Sequence, residues 1–502
     1  MHRLSRLWQI YMPVMMAITA ITFSISIGTI TAQASAPYES YNYNFWGEAV
    51  AQPHTFLYER SFLGAGDHNS DTTLNFPKDM FLKGGRLYIA DTGNSRILVT
   101  DLEGSVLDEY TYGRDSQDVF KEPQGVFVTD DDHIYIADSG NSRLVELDDS
   151  GAFVREIGRP VTSLISDSQQ YTPVKVVVDH SQRIYVIAYG INMGLIEFDK
   201  NGEFQGFMGA TQVSVSMFTY IWKNYFSTKE QQDRMATIVP TEYSNICVDD
   251  ENFIYATINN LSEDDLARGA DAVQRLNPTG VDVLRRLSNN RIIGDIHGYE
   301  NGWSSFCDVA VNDDGCYFIL DDLDGKIFAY DYDGNNLFVF GQIGIKEGNF
   351  QKPVSIALSE DETKIFVLDN ILGSVLEFDI TEYGQLLLGA IRNNSLGNSE
   401  EATRLWNQVA TYNSNNELAY IGLGKASMDA EDYKAAMEYF KLGNNRKYYS
   451  KALYYYRKEL MEEFFAKGML IIILLIVTVI GIRSFGAYKK WVGKVKCYME
   501  NH

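Results

Sequence analysis

Short apolar runs closed by clusters of Asp, Asn or Gly punctuate most of the chain. Gly125-Val126-Phe127-Val128 is followed by Asp130-Asp131-Asp132, and then by Ile134-Tyr135-Ile136-Ala137. Val176-Val177-Val178-Asp179 comes before Arg183-Ile184-Tyr185-Val186, and Ser355-Ile356-Ala357-Leu358 before Phe366-Val367-Leu368-Asp369. Runs this short, bounded by turn formers, predict β-strands, and an unbroken apolar run predicts a strand covered on both faces. After residue 390 the apolar spacing becomes helical, over 400–412, 417–428, 433–442 and 448–465.

The strand pattern repeats. Leu87-Tyr88-Ile89-Ala90-Asp91-Thr92-Gly93-Asn94-Ser95-Arg96-Ile97 recurs 47 residues later as Ile134-Tyr135-Ile136-Ala137-Asp138-Ser139-Gly140-Asn141-Ser142-Arg143-Leu144. Weaker copies start at Arg183-Ile184-Tyr185-Val186, Phe253-Ile254-Tyr255-Ala256, Phe318-Ile319-Leu320-Asp321 and Phe366-Val367-Leu368-Asp369. Copies at this period predict a mainly β fold, a six-bladed β-propeller, followed by a short all-α segment and one transmembrane helix. One four-stranded blade cannot cover both of its faces, so neighbours must stack and the ring must close. The segment 56–64 reads like the outer strand of later copies and is expected to pair with the last blade; 385–390 competes for that edge.

The Tyr-Ile-Ala-Asp-Thr-Gly-Asn-Ser-Arg-Ile string at 88–97 resembles the NHL repeat. In the third copy Ala188 or Tyr189 replaces the Asp, and the fourth carries an insertion between Tyr255 and Gln274. The run Val239-Pro240-Thr241-Glu242-Tyr243-Ser244-Asn245-Ile246 is similar to that of bacterial membrane-anchored NHL proteins of the gluconolactonase-like type. The resemblance implies a propeller over 55–390 acting as a binding, scaffold or sensor module. It further implies a role beside an envelope transporter of the ABC class. Lyase and lactonase relatives hold a metal in the central channel with His, Glu, Asp or Asn ligands. That implies an alternative, a metal-dependent lactonase or lyase with carboxylate ligands in the channel.

Beyond the repeats, Gly424, Ala436 and Phe440 follow the small-and-large alternation of a tetratricopeptide-like hairpin, giving a helical stalk over 391–463. Residues 1–34 read as a signal peptide: Arg3 and Arg6, an apolar stretch from Pro13 to Thr31, then Ala32-Gln33-Ala34; an uncleaved signal anchor is the alternative. Residues 464–485 have the length and apolarity of a transmembrane helix. The basic tail 486–502 places the C-terminus in the cytoplasm and the body outside it. Of the net charge of −24, residues 1–34 contribute +2 and 483–502 contribute +4, so the stretch between carries −30. A body this acidic repels phosphate backbones, which removes nucleic acid as a partner. An envelope protein, or an extracellular carbohydrate or peptide, fits better.

Chemistry is sparse. The 7 His show no metal-ligand spacing, with His133 and His180 expected in exposed turns, and no nucleophile elbow or phosphate loop is present. No catalytic residue, metal ligand or cofactor is assigned, although carboxylates from distant blades still leave room for a divalent metal. Cys307 and Cys316 read as buried thiols, and Cys497 falls in the tail. The candidate binding residues lie on the loop face of the propeller: Asp91, Asn94, Arg96, Asp138, Asn141, Arg143, Asp321 and Asp369. Each of these types also has an ordinary use in locking a turn. The cluster Trp222, Tyr225 and Phe226 is either core or an aromatic platform for sugar or protein.

Overall fold

The computed structural model describes residues 36–64, 72–166, 168–191, 193–209, 243–259, 261, 271–286, 294 and 304–500. The signal segment 1–34 and the Trp222 cluster lie outside the described residues.

Within these bounds the repeats fold into six sheets. Before the first repeat come β1 (Ser40–Tyr43), β2 (Ala49–Ala51) and β3 (Phe56–Phe62). Blade one is β4 (Asp79–Lys83), β5 (Arg86–Asp91), β6 (Arg96–Asp101) and β7 (Val106–Tyr110). Blade two is β8 (Gly125–Val128), β9 (Ile134–Asp138), β10 (Arg143–Leu147) and β11 (Phe153–Ile157). Blade three is β12 (Thr172–Val178), β13 (Ile184–Tyr189), β14 (Leu195–Phe198) and β15 (Phe204–Met208). Blade four shows β16 (Asn245–Val248), β17 (Ile254–Thr257) and β18 (Val273–Leu276) among the described residues. Blade five is β19 (Phe306–Val311), β20 (Tyr317–Asp321), β21 (Lys326–Tyr330) and β22 (Asn336–Phe340), and blade six begins with β23 (Pro353–Leu358), β24 (Lys364–Asp369) and β25 (Ser374–Ile380).

The gradient from inner to outer strand follows the sequence. Every residue of β8 and β9 is buried, as unbroken apolar runs require, whereas β7, with Asp108 and Glu109, is almost wholly exposed. Facing sheets meet through aromatic pairs such as Phe81 and Phe127, 4.7 Å between ring centroids, and Tyr255 and Tyr317, 5.6 Å apart.

Ring closure is made by β3, which pairs antiparallel with β25 from Phe62↔Val375 to Phe56↔Ile380. Arg60 Nε meets Glu377 Oε2 at 2.6 Å across that seam, and Phe56 packs against Phe338 and Phe340. The rival segment 385–390 is helical, because Thr381 caps a helix there by accepting a hydrogen bond from Gly384 N at 3.1 Å. The β1–β2 hairpin adds to blade five through Ser40↔Phe340 and Tyr41↔Val339, with Phe45 and Trp46 exposed at its tip.

Five helices follow: α1 (Glu382–Ser395), α2 (Ser399–Tyr412), α3 (Glu417–Asp429), α4 (Tyr433–Leu442) and α5 (Arg446–Glu500). Glycines permit close approach here: a Cβ on Gly422 would lie 2.4 Å from Trp406 Nε1, and one on Gly424 2.6 Å from the Phe440 ring. Arg392 of α1 binds the propeller through Asp314 at 2.7 Å and Glu362 at 2.6 Å. The 55-residue α5 is about 80 Å long. Its start packs on α4 through the fully buried Ala452, while 464–485 is exposed apart from one half-buried glycine and one undescribed side chain. Arg446–Cys497 is long and apolar enough to cross a membrane, with a mean hydropathy of 2.7 over its most apolar window.

Candidate functional site

The aspartates that end the second strands turn back on their own blades. Asp91 is fully buried; one carboxylate oxygen accepts Asn75 N at 2.7 Å, and the other accepts Asn94 Nδ2 at 2.8 Å and Arg96 Nε at 2.7 Å. Asp138 repeats this with Lys121 N at 2.8 Å, Asn141 Nδ2 at 2.8 Å and Arg143 Nε at 2.9 Å. Asp369 accepts Gln351, Lys352, Ile371 and Leu372 N–H groups, and Asp321 accepts Ser305 and Leu323 N–H groups. Each carboxylate thus binds the loop that leads into its own first strand. The adjoining hydroxyl reaches the next blade, Thr92 Oγ1 donating to Pro123 O at 2.7 Å and Ser139 Oγ to Pro173 O at 2.6 Å.

At the other end of the strands, the two turn histidines are paired. His133 Nδ1 lies 2.8 Å from Glu146 Oε1 and His180 Nε2 3.2 Å from Asp130 Oδ2. Cys316 is buried and Cys307 half-buried, and burial pushes both thiols well above their ordinary pKa.

The channel itself holds a feature that the motif strings do not contain. Asp79, Gly125, Lys175, Asn245, Asp308 and Ser355 stand opposite Ala90, Ala137, Ile187, Thr257, Leu320 and Leu368. These are equivalent register positions on the first strands of all six blades. In four blades the opposing residue is the one just ahead of the strand-ending aspartate. One polar layer therefore crosses the channel. Lys175 Nζ reaches from blade three to Asp79 Oδ1 of blade one, at 2.6 Å. Blade two, in between, contributes Gly125, where a Cβ would come within 2.6 Å of Val174 O and 3.0 Å of Lys175 Cα.

Other bonds complete the layer. Asp79 Oδ2 accepts Val126 N at 2.9 Å. Ser355 Oγ donates to Asp308 Oδ2 at 2.7 Å and accepts Met80 N at 3.2 Å, and the same Asp308 oxygen accepts Ile356 N at 2.8 Å. Blades one, two, three, five and six are thereby joined through side chains that are at most a tenth exposed. A cavity of about 860 Å³ extends from Lys175 and Asp308 along Phe81 and Phe127 to the turns at Asp130 and His180.

Burial pushes the Asp308 carboxyl up to about 6, with Asp79 adding to the rise and Lys175 opposing it. Burial also pulls the Lys175 ammonium down, but Asp79 and Asp308 outweigh it and hold Lys175 above its ordinary value. The sign for Asp308 follows from linkage: a carboxyl that binds its proton more tightly when folded stabilises the fold below its unfolded pKa, and that contribution is lost as pH rises toward 6. A shift of roughly two pH units corresponds to about 3 kcal/mol. Asp308→Asn, which keeps an acceptor for Ile356 N, is expected to flatten the pH dependence of the urea midpoint between pH 4 and 6. An unchanged slope would contradict this assignment.

A divalent metal does not fit this layer. Its one cationic side chain already sits beside the two carboxylates, and the remaining lone pairs take N–H and O–H donors, so an added dication would meet an ammonium. Among the described residues no three His, Cys, Asp or Glu side chains gather in a metal-holding group. Asp79, Lys175, Asp308 and Ser355 were not among the residues singled out from the sequence. The signal for them was a charged residue inside an apolar inner run, Val174-Lys175-Val176 and Cys307-Asp308-Val309.

Comparison with known proteins agrees with the repeat. The NHL repeat family model matches residues 120–147, which cover β8, β9 and β10. No curated protein matches the chain significantly. Among solved structures, a streptogramin B lyase is 13% identical, covering 65% of this chain and 98% of its own, with a TM-score of 0.39. Virginiamycin B lyase from Staphylococcus aureus is 10% identical, covering 61% and 95%, with a TM-score of 0.38. Kuenenia stuttgartiensis hydrazine synthase is 14% identical, covering 65% and 82%, with a TM-score of 0.40. The strand pairing describes a six-bladed β-propeller followed by helices, and the family match identifies an NHL repeat in its second blade.

Proposed function

We propose that the chain is a membrane-anchored binding module. Its NHL propeller is carried outside the cytosol on a short tetratricopeptide-like stalk and serves as scaffold or sensor, accessory to an envelope transporter of the ABC class. The observation that carries this reading is the use of the channel's polar layer. Its charged groups bind one another and brace five blades, where a catalyst needs groups held ready for a substrate. The apolar stretch of α5 and the basic tail after it, Lys489, Lys490, Lys494 and Lys496, support anchoring with the C-terminus inside.

Cys497 offers the test, because it is exposed in the tail while the other cysteines are buried or half-buried. In intact cells a membrane-impermeant maleimide is expected to leave Cys497 unlabelled until the membrane is permeabilised. Labelling of intact cells that disappears in Cys497→Ser would overturn the orientation and the reading with it.

A further inference from the structure

The last part of α5, residues 486–500, is built differently from the apolar stretch before it. At about 100° per residue of helix, Tyr488, Trp491, Val492, Val495 and Met499 fall within an arc of about 100°. Lys489, Lys490, Lys494 and Lys496 all lie about 90° or more from the centre of that arc. The five apolar side chains are exposed, Trp491 at 61%, and the Tyr488 and Trp491 rings stack at 6.3 Å along the stripe. A tail that stayed in water would gain nothing from an apolar stripe, and leaving one wet is unfavourable.

Three observations name what covers it. The stripe begins within one turn of residue 485, where the apolar stretch ends, so a bilayer surface is its nearest neighbour. It carries a tyrosine and a tryptophan, whose amphipathic rings settle at the membrane–water interface. The lysines flank it on both sides, with no acidic residue from 486 to 499, so an anionic surface complements it while a second copy would set lysine against lysine. Gly486 stands at the border between the two parts of α5. A Cβ there would meet nothing within 4 Å among the described residues, so no packing requires the helix to run straight on. Glycine is also the weakest helix former after proline.

We propose that residues 486–500 turn at Gly486 onto the cytoplasmic leaflet and lie along it as an interfacial helix. The aromatic stripe enters the acyl boundary, and the lysines meet anionic phospholipid headgroups. The inference rests on 464–485 spanning the membrane, as proposed above, and adds the lipid class that the tail recognises.

The test uses the full-length chain reconstituted into vesicles of phosphatidylcholine, with or without phosphatidylglycerol. An environment-sensitive nitrobenzoxadiazole label is placed on Cys497, which lies on the lysine side, or at position 495 through Val495→Cys in a Cys497→Ser chain. Cys497→Ser alone is the blank for the other cysteines. With phosphatidylglycerol present, the label at 495 is expected to emit further to the blue and to be about fivefold less open to an aqueous quencher than the label at 497. In phosphatidylcholine alone that contrast is expected to fall away. Adding Lys489→Gln and Lys494→Gln is expected to abolish it, each lysine being worth about fivefold in affinity for an anionic surface. Equal quenching at the two positions on anionic vesicles would leave the tail in water and overturn the proposal. Protection of 495 that is unchanged in phosphatidylcholine, or in the lysine variant, would assign the stripe to a protein partner or a second copy and overturn it as well. Vesicles offer the same lipid on both sides, so the result does not depend on which way the chain sits in a cell. A failed contrast beside the expected labelling of Cys497 in permeabilised cells would remove the interfacial tail and leave the anchored module in place.

Discussion

Lys175→Met is expected to destabilise the propeller by about 3–5 kcal/mol, the cost of removing one partner from a buried ion pair. The side chain is 10% exposed, and its ammonium lies 2.6 Å from the almost fully buried Asp79 carboxylate. Methionine fills a similar length of channel without the charge. Asp79 would keep its bond from Val126 N but lose its counter-ion, and Asp308 would lose the attraction that opposes its rise in pKa. Adding Asp79→Asn to Lys175→Met is expected to recover most of the loss, because the uncompensated charge goes with it. Urea unfolding of the full-length chain in detergent, followed by tyrosine and tryptophan fluorescence, measures both. Additive losses in the double variant would show that the two residues do not act as a pair.

The second large effect concerns closure. Removing residues 36–64 is expected to prevent folding to a soluble monomer. Without β3, the edge of β25 is left open, and the fully buried Val375 and Phe378 lose their cover. An open, apolar edge strand is a template for aggregation. A single change at the same seam, Phe56→Ala, is expected to cost about 3–5 kcal/mol, since the ring is 1% exposed and packs on two other phenylalanines. Removing only 40–51, which takes away β1 and β2 and leaves the buried Tyr38, is expected to leave a folded ring, because β1 meets β22 at just two register pairs. Size exclusion and limited proteolysis of the two truncated chains distinguish these outcomes. Equal behaviour of the two would contradict closure through β3.

Much of this architecture is legible in the sequence because the repeat is written in its second and third strands. Tyr-Ile-Ala-Asp and the turn after it need fixed residue types, an apolar strand core, an aspartate to gather N–H groups and an arginine to pair with it, so the string is nearly identical in blades one and two, and its aspartate returns in blades five and six. First strands obey a looser rule, apolar and about four residues long. The polar layer is therefore hidden: Asp79, Gly125, Lys175, Asn245, Asp308 and Ser355 share a register and no chemistry, and they become a set only when the ring brings them together. The β1–β2 hairpin escapes notice for a different reason. Ser40–Tyr43 alternates polar and aromatic residues over four positions, too short a run to stand out from a loop. His133 illustrates a local limit, since its turn position says exposed while Glu146, 13 residues on, pairs with it across the hairpin.

The proposed binding role rests on a channel that carries a lysine ammonium among its carboxylates. Divalent-metal content of the purified full-length chain, measured together with lactone hydrolysis with and without chelator, tests it most directly. The account predicts less than stoichiometric metal and no turnover in either condition. One tightly held equivalent of metal per chain, with hydrolysis abolished by the chelator, would contradict it.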